Sequence, residues 1–174
     1  TYESGSKLNI SSISVAASLS IAGGYSLGFA IAGAGADARN VITGDTIAEI
    51  SNMNAGTAGS LTLTALNETN IDATVAAVAV AGAAGNGAGA ASIGGVYVSN
   101  RIGAEDNKFT TRASMTNAKF TITGAAVISA TNSARIIAAG GAGSAAVAAS
   151  LTLSVALSGA GAGVYNEVYS ETIA

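Results

Sequence analysis

The residues of this chain that could carry out chemistry are acids in short clusters. Asp45 and Glu49 lie one helical turn or two strand pleats apart, and Glu105 and Asp106 are adjacent, with Arg112 nearby. Two carboxylates that face one cleft can hydrolyse a glycosidic bond, and Glu105, Asp106 and Arg112 could form a metal-assisted site. Charged residues in loops are mostly exposed, so we interpret these acids as solvated turn residues. The sequence therefore predicts no catalytic residue.

Other kinds of site are excluded by composition. The chain has no His and no Cys, which removes the commonest general base, the cysteine nucleophile and the commonest transition-metal ligands. The spaced acids of a Ca²⁺ loop are missing, and the glycines of 82–90 lack the strand–loop–helix context of a dinucleotide site. A net charge of −3 argues against a nucleic-acid partner. We expect no metal and no cofactor.

A repeat is the strongest pattern in the chain. Its three copies line up on asparagine anchors at Asn40, Asn100 and Asn166. Each anchor is followed at the same distance by an acid, namely Asp45, Glu105 or Glu171. The sequence Thr-Ile-Ala follows the acid in the first and last copies. A long fixed period predicts stacked units that share a core with their neighbours.

A second landmark fixes the repeat boundaries. Residues 59–71 match residues 124–136, with Asn67 opposite Asn132. We predict one segment over 1–174, part of a longer chain, with repeats at about 1–58, 59–123 and 124–174. The middle copy holds extra residues around 105–115, which we predict to be a surface loop because insertions are tolerated best there.

The long apolar runs predict strands. No charge occurs in 8–36, 73–100 or 136–166, a pattern that membrane helices and buried alanine-rich helices also show. Frequent glycine and the lack of flanking aromatic or basic belts oppose both. A period of two, typical of strands, runs through 29–33, 61–65, 78–82, 119–123 and 150–158. The absence of Pro suits continuous backbone ladders.

These patterns together predict an all-β parallel solenoid. We expect short strands separated by glycine turns, coils of roughly 20 to 30 residues, and two or three coils per repeat. Because the apolar residues are mostly Ala and Val, the interior should be narrow. The asparagine anchors are expected at coil corners, where Asn tolerates the left-handed conformation.

Two segments carry a resemblance to a known family. GSLTLTALNETNIDATVAAVAVAGAAGNGAGAASIGGVYVSN (59–100) and VISATNSARIIAAGGAGSAAVAASLTLSVALSGAGAGVYN (127–166) resemble repeats of filamentous-haemagglutinin-like and leukotoxin-type filamentous adhesins, which are very large bacterial surface proteins. The resemblance implies a right-handed parallel β-helix, export, and a role as a stalk or adhesive fibre.

The expected function is therefore structural. We expect an extracellular segment of an adhesin or surface filament, with neighbouring coils or copies of itself as partners, and with no membrane insertion. Host-cell or bacterial surface glycans are a further expected partner. The alternative is a β-helix protein that binds or cleaves polysaccharide, in which Tyr97 and Tyr165, near two of the anchors, would contact sugar.

Overall fold

The chain is an all-β protein. A computed structural model describes residues 1–54 and 56–174, apart from the side chain of residue 120. About 85% of the chain is strand, and the described residues include no helix that is long and apolar enough to cross a bilayer. The strands are β1 (Tyr2–Gly23), β2 (Leu27–Ile42), β3 (Asp45–Ser51), β4 (Gly56–Ala58), β5 (Leu61–Ile102), β6 (Phe109–Thr116), β7 (Phe120–Ile122), β8 (Ala126–Val168) and β9 (Ser170–Ile173).

Every strand pairing is parallel, and the pairings arrange the chain in three layers. Layer 1 contains β1 to β4, layer 2 contains β5 to β7, and layer 3 contains β8 and β9. Strand β5 pairs with β1 along its first half and with β2 along its second half, and its other edge pairs with β8. The remaining pairs are β3 with β6, β6 with β9, and β4 with β7. Each layer therefore lies directly over the equivalent part of the next.

In the register of the strands, asparagines of successive repeats lie opposite one another. Asn40 lies opposite Asn100, and Asn100 lies opposite Asn166. Asn67 lies opposite Asn132, as the second landmark predicts. Repeat-equivalent residues are thus neighbours in space, one inter-strand distance of ~4.8 Å apart.

The predicted coil of 20 to 30 residues is wrong. Paired residues are 61 apart between β1 and β5 (Tyr2 with Leu63, 63 − 2) and 66 apart at the end of β8 (Ile102 with Val168, 168 − 102). One layer of the stack therefore contains a whole repeat. A strand of 22 residues such as β1 spans ~70 Å, whereas three layers rise only ~14 Å, so the layers are wide and the stack is shallow.

Each layer folds back on itself to make two walls. The first wall consists of β1 with residues 61–84 and 126–150, and the second wall consists of β2 and β3 with their partners in layers 2 and 3. The bend between them lies at Gly85–Gly87, where the register with β8 shifts. The inward residues of the two walls pack together in one cluster, which includes Ala81 of the first wall and Ala32 and Ala90 of the second. The core is the thin space between the walls.

The core is built from small side chains, as predicted. Next to the bend the buried cluster consists only of alanines. Farther from the bend the clusters include valines, such as Val75 and Val98. The largest buried side chains lie where Ile42, Ile71 and Ile102 meet Phe109. Beyond this cluster the core returns to smaller side chains, with Ala48, Ala65 and Ala113 packed around Leu63.

Most glycines lie inside the strands, although Gly24, Gly44, Gly59, Gly103 and Gly124 lie between them. The predicted pattern of short strands separated by glycine turns is therefore wrong. Four of the five alternating segments lie within strands, and 119–123 is strand only at 120–122, but 61–65 and 78–82 belong to the same strand, β5. A Cβ on Gly28 would lie 2.5 Å from the Ala84 carbonyl oxygen, and a Cβ on Gly94 would lie 2.5 Å from that of Gly143. Glycine in a strand often marks a close approach of another backbone, and here it lets the two walls approach.

The extra residues of the middle copy form a shorter loop than predicted. The difference in residue number between paired residues rises from 60 at Ile42 (102 − 42) to 65 at Asp45 (110 − 45). Five residues are therefore inserted between Ile102 and Thr110. The exposed part of this insertion is 105–108. From Phe109 onward the chain is strand β6, with Phe109 buried against the isoleucine cluster. The surface-loop prediction is correct for 105–108 and wrong for 109–115.

We expect Gly94→Ala to lower the free energy of unfolding by about 1–3 kcal/mol, because the added methyl group must push the Gly143 backbone away. Gly95→Ala is the matched control, because a Cβ there meets no atom within 4 Å; it should be neutral or stabilising by about 0.5–1 kcal/mol. Urea denaturation of both variants measures the difference. Equal stability of the two variants would contradict the close approach of the walls.

Candidate functional site: asparagine ladders and the charged edge

The first asparagine ladder crosses all three layers. Asn40 Nδ2 donates to Asn100 Oδ1 at 2.7 Å, and Asn100 Nδ2 donates to Asn166 Oδ1 at 2.8 Å. Asn40 Nδ2 also donates to the hydroxyl of Ser12 on the opposite wall, at 2.9 Å. Asn100 is fully buried, so each hydrogen bond satisfies a polar group that would otherwise cost about 1–3 kcal/mol. The ladder joins adjacent layers and, through Ser12, joins the two walls.

A second ladder lies in the first wall. Asn67 Nδ2 donates to Asn132 Oδ1 at 2.7 Å, and the Thr69 hydroxyl donates to Asn67 Oδ1 at 2.9 Å. Asn67 is fully buried, and Thr69 is nearly so. In layer 1 the equivalent of Asn67 is Ser6. In both ladders the amide nitrogen donates toward the layer with the higher residue numbers, so the stack has a polarity.

The anchors do not lie at coil corners, which corrects that prediction. Asn40, Asn100 and Asn166 lie inside β2, β5 and β8, with extended neighbours on both sides. The left-handed corner asparagines are instead Asn52 and Asn117, with φ of 54° and 50°.

Asn117 Nδ2 donates to Asn52 Oδ1 at 3.4 Å, directly after β3 and β6. Sequence reasoning missed this pair, although a hydroxyl residue precedes Asn in both copies, as Ser51-Asn52 and Thr116-Asn117. The two copies are 65 residues apart (117 − 52), which is also the spacing between paired residues of β3 and β6. The recurrence of this dipeptide at that spacing was the sequence signal from which the pair could have been predicted.

The Thr-Ile-Ala motif is a strand signal. Thr46 and Ala48 point into the core, and Ile47 between them points outward. In layer 2 the same places are filled by Thr111, Arg112 and Ala113, a match that the inserted loop hides in the sequence. For the same reason the residue equivalent to Asp45 is Thr110, not Glu105 as the sequence spacing predicted.

Asp45 and Glu49 bind to layer 2 rather than to each other. Asp45 Oδ1 accepts a hydrogen bond from the Thr110 backbone at 3.1 Å. Glu49 pairs with Arg112 at 3.3 Å, and both side chains are about one-third exposed. Arg112 is therefore committed to Glu49, which does not support the metal-assisted site predicted from Glu105, Asp106 and Arg112. A partly exposed ion pair of this kind contributes up to about 1 kcal/mol.

A charged and aromatic edge lies on the outer side of the second wall. The hydroxyl groups of Tyr165 and Tyr169 both donate to Glu167 Oε1, the latter at 3.0 Å. The hydrogen bond from Tyr165 lowers the pKa of Glu167, with smaller contributions from Tyr169 and Arg101. The same hydrogen bonds raise the pKa of both tyrosines. Glu167 is thus held as a carboxylate, and both tyrosines are held as hydroxyl donors, at neutral pH.

An open depression of about 650 Å³ lies beside this edge. Its lining includes Arg101, Glu167 and Tyr169 together with Glu105 and Asp106 of the inserted loop. Carboxylates from layers 2 and 3 therefore share one depression. Across the described residues no group of three or more acids is arranged to hold a metal ion.

The two tyrosines predicted to contact sugar lie on the same outer surface, but they are not equivalent in register. Tyr97 lies opposite Gly163, and Tyr165 lies opposite Ser99, a displacement of two residues along the strand. Both rings are about half exposed. The Arg39 guanidinium lies 5.8 Å from the centre of the Tyr97 ring, a cation–π distance. The structure therefore brings Tyr97 and Tyr165 near each other as neighbours across layers.

Comparison with known proteins gives no relative. No family model, curated protein or solved structure matches this chain. The ladders and the charged edge are therefore interpreted from their geometry. The ladders can fix register between layers, and the charged edge can offer a carboxylate, a guanidinium and aromatic rings to a polar ligand.

We expect Asn100→Ala to lower the free energy of unfolding by about 2 kcal/mol, because it deprives Asn40 and Asn166 of their partner inside the stack. Asn86→Ala is the control, since Asn86 is exposed at the bend; its effect should stay within about 0.5 kcal/mol. Chemical denaturation followed by far-ultraviolet circular dichroism measures both. A ladder of no energetic value would leave the two variants equally stable.

Proposed function

We propose that this chain is a structural segment of an extracellular adhesin or surface filament, built as a right-handed parallel β-solenoid in which each layer is one coil. The observation that carries the proposal is the in-register asparagine ladder Asn40–Asn100–Asn166. It links repeat-equivalent residues along the stacking direction, which is what a load-bearing stalk requires. Catalysis is not part of this function.

The ends of the stack support self-association. Layers 1 and 3 are the outer layers of the strand order, so each offers a row of backbone groups for pairing. Because Asn132 and Asn166 accept hydrogen bonds through Oδ1 from layer 2, their Nδ2 groups point away from layer 2. A further repeat with asparagine at the same two positions would continue both ladders.

The export and surface location rest on resemblance. Residues 59–100 and 127–166 resemble repeats of filamentous-haemagglutinin-like adhesins, and the lack of Cys is compatible with an extracellular stalk that does not depend on disulfides. The partners in this proposal are neighbouring coils of the same chain or other copies of it. Nucleic acid is not among them, given the net charge of −3.

Contact with surface glycans is a second candidate function. It is favoured by the charged and aromatic edge, where Tyr97 and Tyr165 expose their rings beside Arg39 and Glu167. Amphipathic rings of this kind offer an apolar face and a polar hydroxyl to one ligand. The carboxylates of Glu105, Asp106 and Glu167 surround one depression. This cluster also favours an enzymatic version of the second candidate, in which the chain cleaves polysaccharide.

We expect the purified chain to form thin fibres of uniform width that lengthen with concentration, as seen by negative-stain electron microscopy. Ser158→Lys should abolish the lengthening, because Ser158 points inward in layer 3 and would be covered by the next coil. An inward charge at a sheet edge opposes strand addition.

Leu157→Lys is the matched control for this experiment. Leu157 is the neighbouring residue, but it points outward, so end-to-end stacking should continue in that variant. Particles of fixed size at all concentrations, or equal fibres from Ser158→Lys and Leu157→Lys, would contradict end-to-end stacking.

The glycan candidate predicts loss of binding in the double variant Tyr97→Ala, Tyr165→Ala. On an array of bacterial and host glycans, we expect its affinity to fall at least about tenfold for any glycan that the parent chain binds, a typical loss for truncated interface aromatics. Tyr25→Ala is the control, because Tyr25 is fully exposed at the bend, away from this edge. Unchanged binding by the double variant would remove the candidate.

A further inference from the structure

The outer face of the second wall alternates between large and small side chains. We give this name to the outward residues of 27–37, 87–97 and 153–163, one segment from each layer. In layers 1 and 3 the segment begins with three large apolar residues and continues with glycines, whereas layer 2 begins with small residues and then presents an isoleucine. In order along the strands, the outward residues are Leu27, Phe29, Ile31, Gly33 and Gly35 in layer 1, Gly87, Gly89, Ala91, Ile93 and Gly95 in layer 2, and Leu153, Val155, Leu157, Gly159 and Gly161 in layer 3.

The large residues of this face are open to solvent. Phe29, Ile31, Ile93 and Leu157 are between 68% and 79% exposed. Near the bend, large residues of layers 1 and 3 flank the glycines of layer 2 and form an apolar hollow of about 360 Å³. Contiguous exposed apolar surface of this kind marks an interaction site.

The pattern is complementary to itself about a midpoint at Ser92, with Ala32 and Ser158 at the same position in layers 1 and 3. On the side toward the bend, the nearest outward residues across the three layers are large, small and large. On the other side they are small, large and small. The first set is Ile31, Ala91 and Leu157, and the second set is Gly33, Ile93 and Gly159.

We propose that the outer face of the second wall docks onto the same face of a second copy of this chain, related by a two-fold axis that passes over Ser92 along the stacking direction. Such an axis reverses the strand direction and keeps each layer at the same height. Ile31 then faces the partner's Gly33, and Leu157 faces the partner's Gly159. The partner's Ile93 faces Ala91, between Ile31 and Leu157. The symmetry makes every such contact twice.

These contacts tolerate the angle at which packed sheets cross. A crossing of about 30° displaces the central pairs by only ~2 Å, because they lie one residue from the axis, and this is less than the ~4.8 Å between layers. Phe29 lies three residues from the axis and is displaced by about one layer. It still meets glycine, because the facing position holds glycine in all three layers, namely Gly35, Gly95 and Gly161.

The charges of this surface do not oppose the docking. They lie at Asp37 and beyond, on Arg39, Arg101 and Glu167. The two-fold axis relates their positions to residues within 23–27, 83–87 and 149–153, which contain no charged residue. No charge therefore faces a like charge, and the charged residues lie at the rim of the interface, where solvent reaches them.

The area of the interface fits a weak dimer of this three-layer chain. Ten residue steps span ~33 Å and three layers span ~14 Å, which gives a projected area of ~400–500 Å² per copy. The pair thus buries ~800–1,000 Å², which is typical of weak association. Because the axis keeps the order of the layers, both copies can grow in the same direction, and each further layer adds ~160 Å² per copy.

The test is chemical crosslinking through single cysteines, which report on one position each because the chain contains no Cys. Two Gly33→Cys side chains would lie ~7 Å apart along the strands of a docked pair, so a bismaleimide that spans ~10 Å, the separation of packed sheets, should join them. Ser99→Cys is the control on the same surface. It lies seven residues from the midpoint, so its two copies would be ~46 Å apart and should not be joined.

A second substitution in the Gly33→Cys chain tests the central contact. Gly159→Ile places a large residue against the partner's Leu157 and should lower the yield of crosslinked dimer at least about tenfold, as blocking a central interface contact does. Gly141→Ile adds the same side chain to the outer surface of the first wall and should leave the yield unchanged. A Cβ at Gly33, Gly141 or Gly159 meets no atom within 4 Å, so these variants should fold normally.

Three outcomes would overturn the proposal. They are equal yields from Gly33→Cys and Ser99→Cys, a yield that Gly159→Ile leaves unchanged, and a monomeric chain that floats with neutral phospholipid vesicles, which would assign the face to lipid. The result does not depend on end-to-end stacking. Equivalent residues of stacked copies lie three layers, or ~14 Å, apart at both cysteine positions, so stacking alone would treat the two variants alike.

Discussion

The structure depends on parallel pairing of each residue with its own equivalent one repeat later. Because repeat-equivalent positions lie over one another, every inward side chain must be compatible with the residue at the same position ~4.8 Å away. Alanine and glycine satisfy this by size. Asparagine satisfies it by chemistry, since one amide carries both a donor and an acceptor, and the bonds of Asn40, Asn100 and Asn166 use both. A buried charge would face a like charge in each layer.

This constraint explains what sequence alone could predict. Asn67 and Asn132, and the three anchors, were found because in-register stacking conserves spacing within the chain. The small-residue core followed from composition, because alanine and glycine can fill only a thin space between walls. The strand type followed from the period of two. These features recur in successive repeats, so a pattern seen in one copy is supported by the same pattern in the others.

The features that sequence reasoning missed are those set by contact between walls. Glycine ordinarily suggests a turn, but Gly28 and Gly94 stay in strands because the opposite backbone leaves no room for a Cβ. That contact cannot be seen along the chain, and so coil length was underestimated. The equivalence of Thr110 with Asp45 was likewise missed, because the five-residue insertion before Thr110 changes the spacing of every equivalent pair that follows it.

The direction of the ladders limits how such a stack can grow. Both ladders donate from the lower to the higher layer. The first ladder therefore presents the amide nitrogen of Asn166 at one end and the amide oxygen of Asn40 at the other, whereas the layer 1 position of the second ladder holds Ser6. Two like ends would bring donors to donors or acceptors to acceptors, and they would leave buried amides unsatisfied, each at a cost of about 1–3 kcal/mol. Head-to-tail addition alone continues the first ladder. The asparagine positions therefore select both the register and the orientation of each new layer, while the outer surfaces of the walls remain free for other contacts.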